Sequence, residues 1–177
     1  MIDAYLNAEA EMEDESITCC FTGHRPNKLP WGANESDPRC AALRMELAAR
    51  LEGLYLAGFR VFLCSMAIGC DMLFAEEVLR LREQHPEIFL EAAIPCGTQP
   101  DKWRVADRRR YNRLLDRCDR VKVLQVDYTP DCMLKRNRYM IERSSLLLAC
   151  FNGSPGGTMN TILLAERKGI RTLLIDI

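Results

Sequence analysis

Six short runs that are nearly all apolar alternate along the chain with longer segments in which apolar residues return every three or four positions. The short runs fall at 17–22, 60–64, 88–94, 121–125, 146–151 and 172–175. Unbroken apolar stretches of this length are expected of strands buried on both faces of a parallel sheet. The longer segments carry helix start and stop signals. Asp37 precedes Pro38, which places an N-cap acid ahead of a proline at the first helical position. Leu43, Leu47, Leu51 and Leu54 then line one face, and Gly58 ends the helix. Further helices are predicted over 71–84, closed before Pro86, over 100–118, from Thr129-Pro130-Asp131 to about 143, and from about 157 to Gly169. Strict alternation of the two patterns argues for an α/β three-layer sandwich around a mostly parallel, six-stranded sheet. Right-handed crossovers then put every strand-to-helix loop on one edge of the sheet, and ligands bind there near the point where strand order reverses.

Composition narrows this picture. A chain of 177 residues, 48% hydrophobic and 28% charged, suits one globular domain, expected over 16–177 without an internal repeat or a second boundary. Residues 1–15 read as an acidic, disordered tail. The first 16 residues hold six acids and no Lys or Arg, the reverse of a signal peptide. No apolar run reaches the roughly 20 residues that span a bilayer, so no membrane partner is expected. The nine cysteines form no CxxC, and His24 and His85 are the only histidines. A reducing, cytoplasmic setting is therefore expected, with no metal site. Without the six acids of the tail, 24 basic residues face 19 acidic ones, a net +5. The stretch 101–143 alone carries 13 Lys/Arg against seven Asp/Glu. Such a zone can attract phosphate or nucleic acid, or it can be the solvated mixed-charge face of helices. Interspersed acids and a net charge of −1 favour the second reading and speak against nucleic acid as partner.

Four loops carry the candidate chemistry. After the fifth apolar run, Asn152, Gly153, Gly156, Gly157 and Thr158 form a glycine-rich turn that opens a helix. Glycines let the backbone approach a ligand, and the free N–H groups of a helix start favour a phosphate. After the first run, Thr22, Gly23, His24 and Arg25 offer a hydroxyl, a tight turn, an imidazole and a planar cation, or simply a capped turn with an exposed histidine. After the second, Ser65, Gly69 and Asp71 permit close approach to a ribose, although Asp71 could equally be an N-cap. Glu76 could point back to the site or lie on a solvated face. After the third, Gln99 and Trp103 could bond to and stack on a planar ring, or Trp103 could be plain core.

The order of these loops resembles the YpsA-like branch of the SLOG superfamily. The resemblance rests on Thr-Gly-His-Arg at 22–25, Ser-x3-Gly-x-Asp-x3-Ala-Glu at 65–76 and Pro-Cys-x2-Gln-x3-Trp at 95–103. Arg-Tyr at 110–111, Asn-Arg-Tyr-Met at 137–140 and Asn-Gly-x2-Gly-Gly-Thr at 152–158 complete it. The superfamily is named for the DNA-processing Smf/DprA proteins and for the LOG proteins, which release a base from nucleoside monophosphates. The resemblance implies a Rossmann-like fold, a site for a nucleotide or an NAD or ADP-ribose derivative, and a homodimer. LOG proteins carry Pro-Gly-Gly-x-Gly-Thr-x-x-Glu, whereas here Met159, Asn160, Thr161 and Ile162 follow Thr158 and no carboxylate occupies that turn. Glu166 lies eight residues beyond Thr158, roughly 12 Å along a helix. The chain thus reads first as a nucleotide-binding module. Alternatively it is an N-glycosidic or phosphoribosyl hydrolase, with Asp71 or Glu76 as catalytic carboxylate. A DNA-binding role by analogy with DprA ranks lowest.

Overall fold

The computed structural model describes residues 14–177; most of the expected acidic tail, residues 1–13, lies outside them. Asp14 and Glu15 belong to the folded part. The Asp14 carboxylate accepts the Ser16 N–H at 2.8 Å, and Glu15 pairs with Lys168 at 3.0 Å. In chain order the elements are β1 (Thr18–Gly23), α1 (Pro38–Leu56), β2 (Val61–Cys64), α2 (Cys70–Arg82), β3 (Phe89–Ile94), α3 (Val105–Leu115), β4 (Arg120–Val123), α4 (Cys132–Glu142), β5 (Leu146–Phe151), α5 (Gly157–Lys168) and β6 (Arg171–Asp176).

The sheet runs β4-β3-β2-β1-β5-β6, and every neighbouring pair is parallel. The chain builds outward from β1 to β4, crosses back through α4, and restarts at β5 on the other flank of β1. Strand order therefore reverses between β1 and β5, whose register pairs Gly23 with Cys150. Alternate side chains of each strand face opposite layers. Cys19, Phe21, Leu146, Leu148 and Cys150 pack under α1, α2 and α3, and Cys20, Leu147 and Ala149 pack under α4 and α5. The α1 face predicted from periodicity is buried at Leu43, Leu47, Leu51 and Leu54. Each such leucine contributes about 1.5–3 kcal/mol through burial. Asp37 caps this helix, accepting the Arg39 N–H at 2.9 Å. All nine cysteines are free thiols, and only Cys118 is partly exposed.

Two helix starts differ from the sequence expectation. The third helix begins at Val105 and not at residue 100. Residues 97–103 instead form turns, because Gln99 reaches back to carbonyls of the loop after β2. Asp71 is not the N-cap of α2. Gly69, at φ 100°, takes that position, and the helix starts one residue earlier. The left-handed conformation at Gly69 turns the Cys70 N–H onto the His24 carbonyl at 3.1 Å and frees the Asp71 side chain to face inward.

This close approach makes two glycines opposite in their response to a methyl group. A Cβ on Gly23 would sit 2.3 Å from Cys70 Cβ, whereas one on Gly53, within α1, would meet nothing within 4 Å. Gly23→Ala is expected to lower unfolding free energy by about 1–3 kcal/mol through overpacking. Gly53→Ala should raise it by roughly 0.5–1 kcal/mol through helix propensity. Urea denaturation of both variants checks the pair of signs.

Candidate functional site

A cleft of about 260 Å³ opens at the carboxyl ends of β1 and β5, at the reversal of strand order. The β1 loop contributes Thr22, Gly23, His24, Arg25 and Lys28 to its walls, and the β2 loop contributes Ser65, Ala67 and Asp71. Gly157 and Thr158 enter from α5, and Arg136 and Asn137 from α4.

One wall is the start of α5. Gly156, at φ 143°, is the N-cap and offers no side chain, and the first helical bond runs from the Asn160 N–H to the Gly156 carbonyl at 2.9 Å. The N–H groups of Gly157, Thr158 and Met159 therefore have no acceptor among the described residues, as at any helix start without a side-chain cap. The loop leading to them is clamped from below. The Lys28 ammonium donates to the Pro155 carbonyl, and the Asn152 side-chain amide donates to the Lys28 carbonyl at 3.0 Å. A Cβ on Gly156 would approach Lys28 Nζ to 2.6 Å, so this glycine permits the clamp.

His24 ties the β1 loop to the α5 loop. It is buried, not exposed as a capped surface turn would leave it. Its Nε2 accepts the Asn152 N–H at 3.3 Å, and its Nδ1 lies 3.3 Å from Thr158 Oγ1. A ring nitrogen that accepts an N–H carries no proton, so neutral His24 holds its proton on Nδ1 and donates it to Thr158. The Thr158 hydroxyl proton is thereby left for another acceptor. Burial, with the Lys28 charge nearby, pushes the His24 pKa below its ordinary 6.5.

The facing wall is a buried polar group. Asp71 is 4% exposed, and its carboxylate accepts the Ser65 hydroxyl. Burial pushes its pKa up, while the Ser65 bond and the Arg136 and Arg25 charges act against that shift. Arg136 is 7% exposed; its Nε donates to Asn137 Oδ1 at 2.7 Å, and its Nη1 is buried without any acceptor. The loop between these groups and β2 is strained. Met66 is fully buried at φ 55°, a conformation that a residue with a side chain holds only when its surroundings impose it. Here Gln99 Nε2 donates to the Ser65 and Met66 carbonyls at 3.1 and 3.5 Å.

The structure thus brings together Thr22, Gly23, His24, Arg25, Ser65, Asp71, Gly157 and Thr158. Asn152, Gly153 and Gly156 shape the loop behind them. Gln99 braces a wall instead of lining the cleft. Gly69 and Trp103 face a separate cavity on the far side of the β1 loop. Glu76 also lies outside the cleft: it pairs with Arg44 at 2.6 Å and Arg110 at 2.7 Å. Burial pushes its carboxyl up, but the two arginines outweigh burial and hold it below the usual range. Sequence reasoning missed Arg136 and Lys28. Arg136 shares a helix face with buried Cys132 and Met140, and an arginine on an apolar stripe was the signal available. No cluster of three or more His, Cys, Asp or Glu suited to a metal occurs among the described residues, and no described helix is long and apolar enough to cross a membrane.

Comparison with known proteins shows the family and the fold. The YpsA family model, described as the YspA SLOG family, matches residues 19–169. A UPF0398 protein of Bacillus pumilus is 28% identical over 139 residues, covering 77% of this chain and 74% of the relative. Among solved structures, DNA processing protein A from Helicobacter pylori, described for its single-stranded DNA binding mode, superimposes with a TM-score of 0.58 at 15% identity. That match covers 93% of this chain and 67% of the other. DprA from Streptococcus pneumoniae gives 0.56 at 14% identity, covering 89% of this chain and 49% of its own, so the present chain spans about half of that protein. At these identities the two structures share the fold.

Since His24 binds its proton more weakly in the fold than in the open chain, its contribution to stability is complete above about pH 6.5 and is lost as pH falls below it. Unfolding free energy measured at pH 7.5 and at pH 5.5 should drop more in the wild-type chain than in His24→Gln. Equal drops would show that His24 is not the titrating group.

Proposed function

The chain belongs to the YpsA branch of the SLOG family, and from that premise we propose that the cleft between β1 and β5 binds a nucleotide or nucleotide derivative through a phosphate. One observation carries this reading. The acceptor-free N–H groups at the start of α5 and the buried, unpartnered Nη1 of Arg136 line the same cleft. A buried donor without a partner costs about 1–3 kcal/mol, and an anion between these two walls would satisfy both. In this reading the phosphate sits on the N–H groups of Gly157 and Thr158, with the Thr158 hydroxyl, Arg25 and Lys28 assisting. Asp71, oriented by Ser65, accepts from ribose hydroxyls. An NAD or ADP-ribose derivative suits such a site, and no resident cofactor or metal is needed to hold it.

A second reading, hydrolysis of an N-glycosidic bond, is favoured by Asp71 alone, a carboxyl whose burial raises its pKa beside the proposed phosphate seat. Glu76 is withdrawn from that role, because its two arginines keep it outside the cleft. Binding of single-stranded DNA, described for the Helicobacter pylori neighbour, ranks third, since this chain carries a net charge of −1. We also propose that the folded part is one domain and works as a cytoplasmic homodimer; the superfamily resemblance supports the pairing and the free thiols the compartment.

Gly157→Asp tests the phosphate seat cleanly, because a Cβ there would meet nothing within 4 Å and the helix start is undisturbed. Titrated calorimetrically with AMP, NAD and ADP-ribose, the wild-type chain should bind at least one, and the variant should lose on the order of 100-fold in affinity. Unchanged affinity and stoichiometry would remove the assignment. Release of free base or ribose phosphate from the same panel, abolished in Asp71→Asn, would establish the hydrolase instead.

A further inference from the structure

Behind the loops that close the first cleft lies a larger cavity, of about 560 Å³, that the phosphate site does not use. The two are back to back: Pro26 and Gly69 face the larger one, and Arg25 and Ala67 face the first. Its floor is apolar, formed by Met72 and Leu73 of α2, each 1% exposed. Both tryptophans of the chain, Trp31 and Trp103, line it. Trp103 stands edge-on to Tyr111, with ring centroids 5.3 Å apart and planes at 87°, which fixes the indole orientation. Trp31 is 8% exposed, and its indole nitrogen is buried without an acceptor.

The rim carries four cations, and they divide into two kinds. Arg104 is bonded to Asp107 at 2.9 Å, and Arg110 is held by Glu35 and Glu76. Lys102 and Arg113 make no ion pair among the described residues. An apolar floor with aromatic walls takes a flat ring, and cations left unneutralised at its mouth take a negative group. We propose that this cavity is a second binding site, for a planar aromatic ring bearing an anionic group, with the ring against Trp103 and the anion at Lys102 and Arg113. The site does not depend on the phosphate reading of the first cleft.

Because both tryptophans lie here, intrinsic emission reports on this cavity and not on the first cleft. Titration of the full chain with AMP should quench that emission saturably, whereas inorganic phosphate should leave it unchanged. Lys102→Glu combined with Arg113→Glu should weaken the quenching constant by on the order of tenfold, and Trp103→Ala should lower the calorimetric affinity for AMP by a similar factor. Trp103→Phe keeps a ring at the position and should retain most of that affinity, and far-UV circular dichroism establishes that each variant is folded. Gly157→Asp should leave the quenching within about twofold. If Gly157→Asp also leaves every calorimetric affinity and stoichiometry unchanged, the phosphate reading fails and this proposal stands. An emission unmoved by AMP overturns it. So does quenching that disappears in Gly157→Asp and persists in the Lys102 and Arg113 variant, which would seat the ligand in the first cleft.

Discussion

The contact between Gly23 and Cys70 is the constraint from which the rest of the carboxyl edge follows. Only a hydrogen fits where a Cβ would lie 2.3 Å from Cys70 Cβ. That hydrogen lets the start of α2 press against the end of β1, so that the Cys70 N–H reaches the His24 carbonyl. With the backbone of His24 held on one side, its imidazole is free to reach the other, where it bonds the β5 loop at Asn152 and the first turn of α5 at Thr158. Three strand-to-helix connections are thus locked around one residue, and the cleft is the space they enclose.

The interior of that cleft is polar, with Asp71 and Arg136 among its buried groups. Asp71 and Arg136 are both withdrawn from water, where uncompensated charges are costly. Ser65 and Asn137 satisfy part of each, and Gln99 holds the strained backbone at Met66 that keeps Ser65 in place. The orientation of these groups is fixed by neighbours and not by solvent. The network of Arg44, Arg110, Glu35 and Glu76 does a different task with the same residue types. It joins α1, α2 and α3 at the surface, with each charge already answered.

The layers and the parallel sheet were legible because burial on two faces leaves an unbroken apolar run, as at 146–151, and because Asp37-Pro38 and Gly169 punctuate helices by local chemistry alone. The loops at 22–25 and 152–158 were legible for the same reason: glycines there answer to backbone geometry. Arg136 was not singled out, since its burial comes from the way α4 lies on the sheet, and its sequence neighbours Lys135 and Arg138 suggest a solvated face. Gln99 and Trp103 are close in sequence, but the turns between them send one side chain under the β2 loop and the other to a separate cavity. Asp71 has the residue type and spacing of an N-cap. The left-handed Gly69 before it, a matter of three-dimensional fit to His24, gave it another place.

The sulfur content of the core has a consequence of its own. Eight of the nine thiols are buried, from Cys19 and Cys20 in the central strand to Cys150 in its neighbour. Burial drives the Cys19 and Cys64 thiols well above their ordinary pKa and Cys20 to about 12, so they remain protonated and shielded from electrophiles while the sheet is closed. Distributed over β1, β2 and β5, these thiols form a built-in clock. The order in which an alkylating reagent reaches them is the order in which the strands come apart.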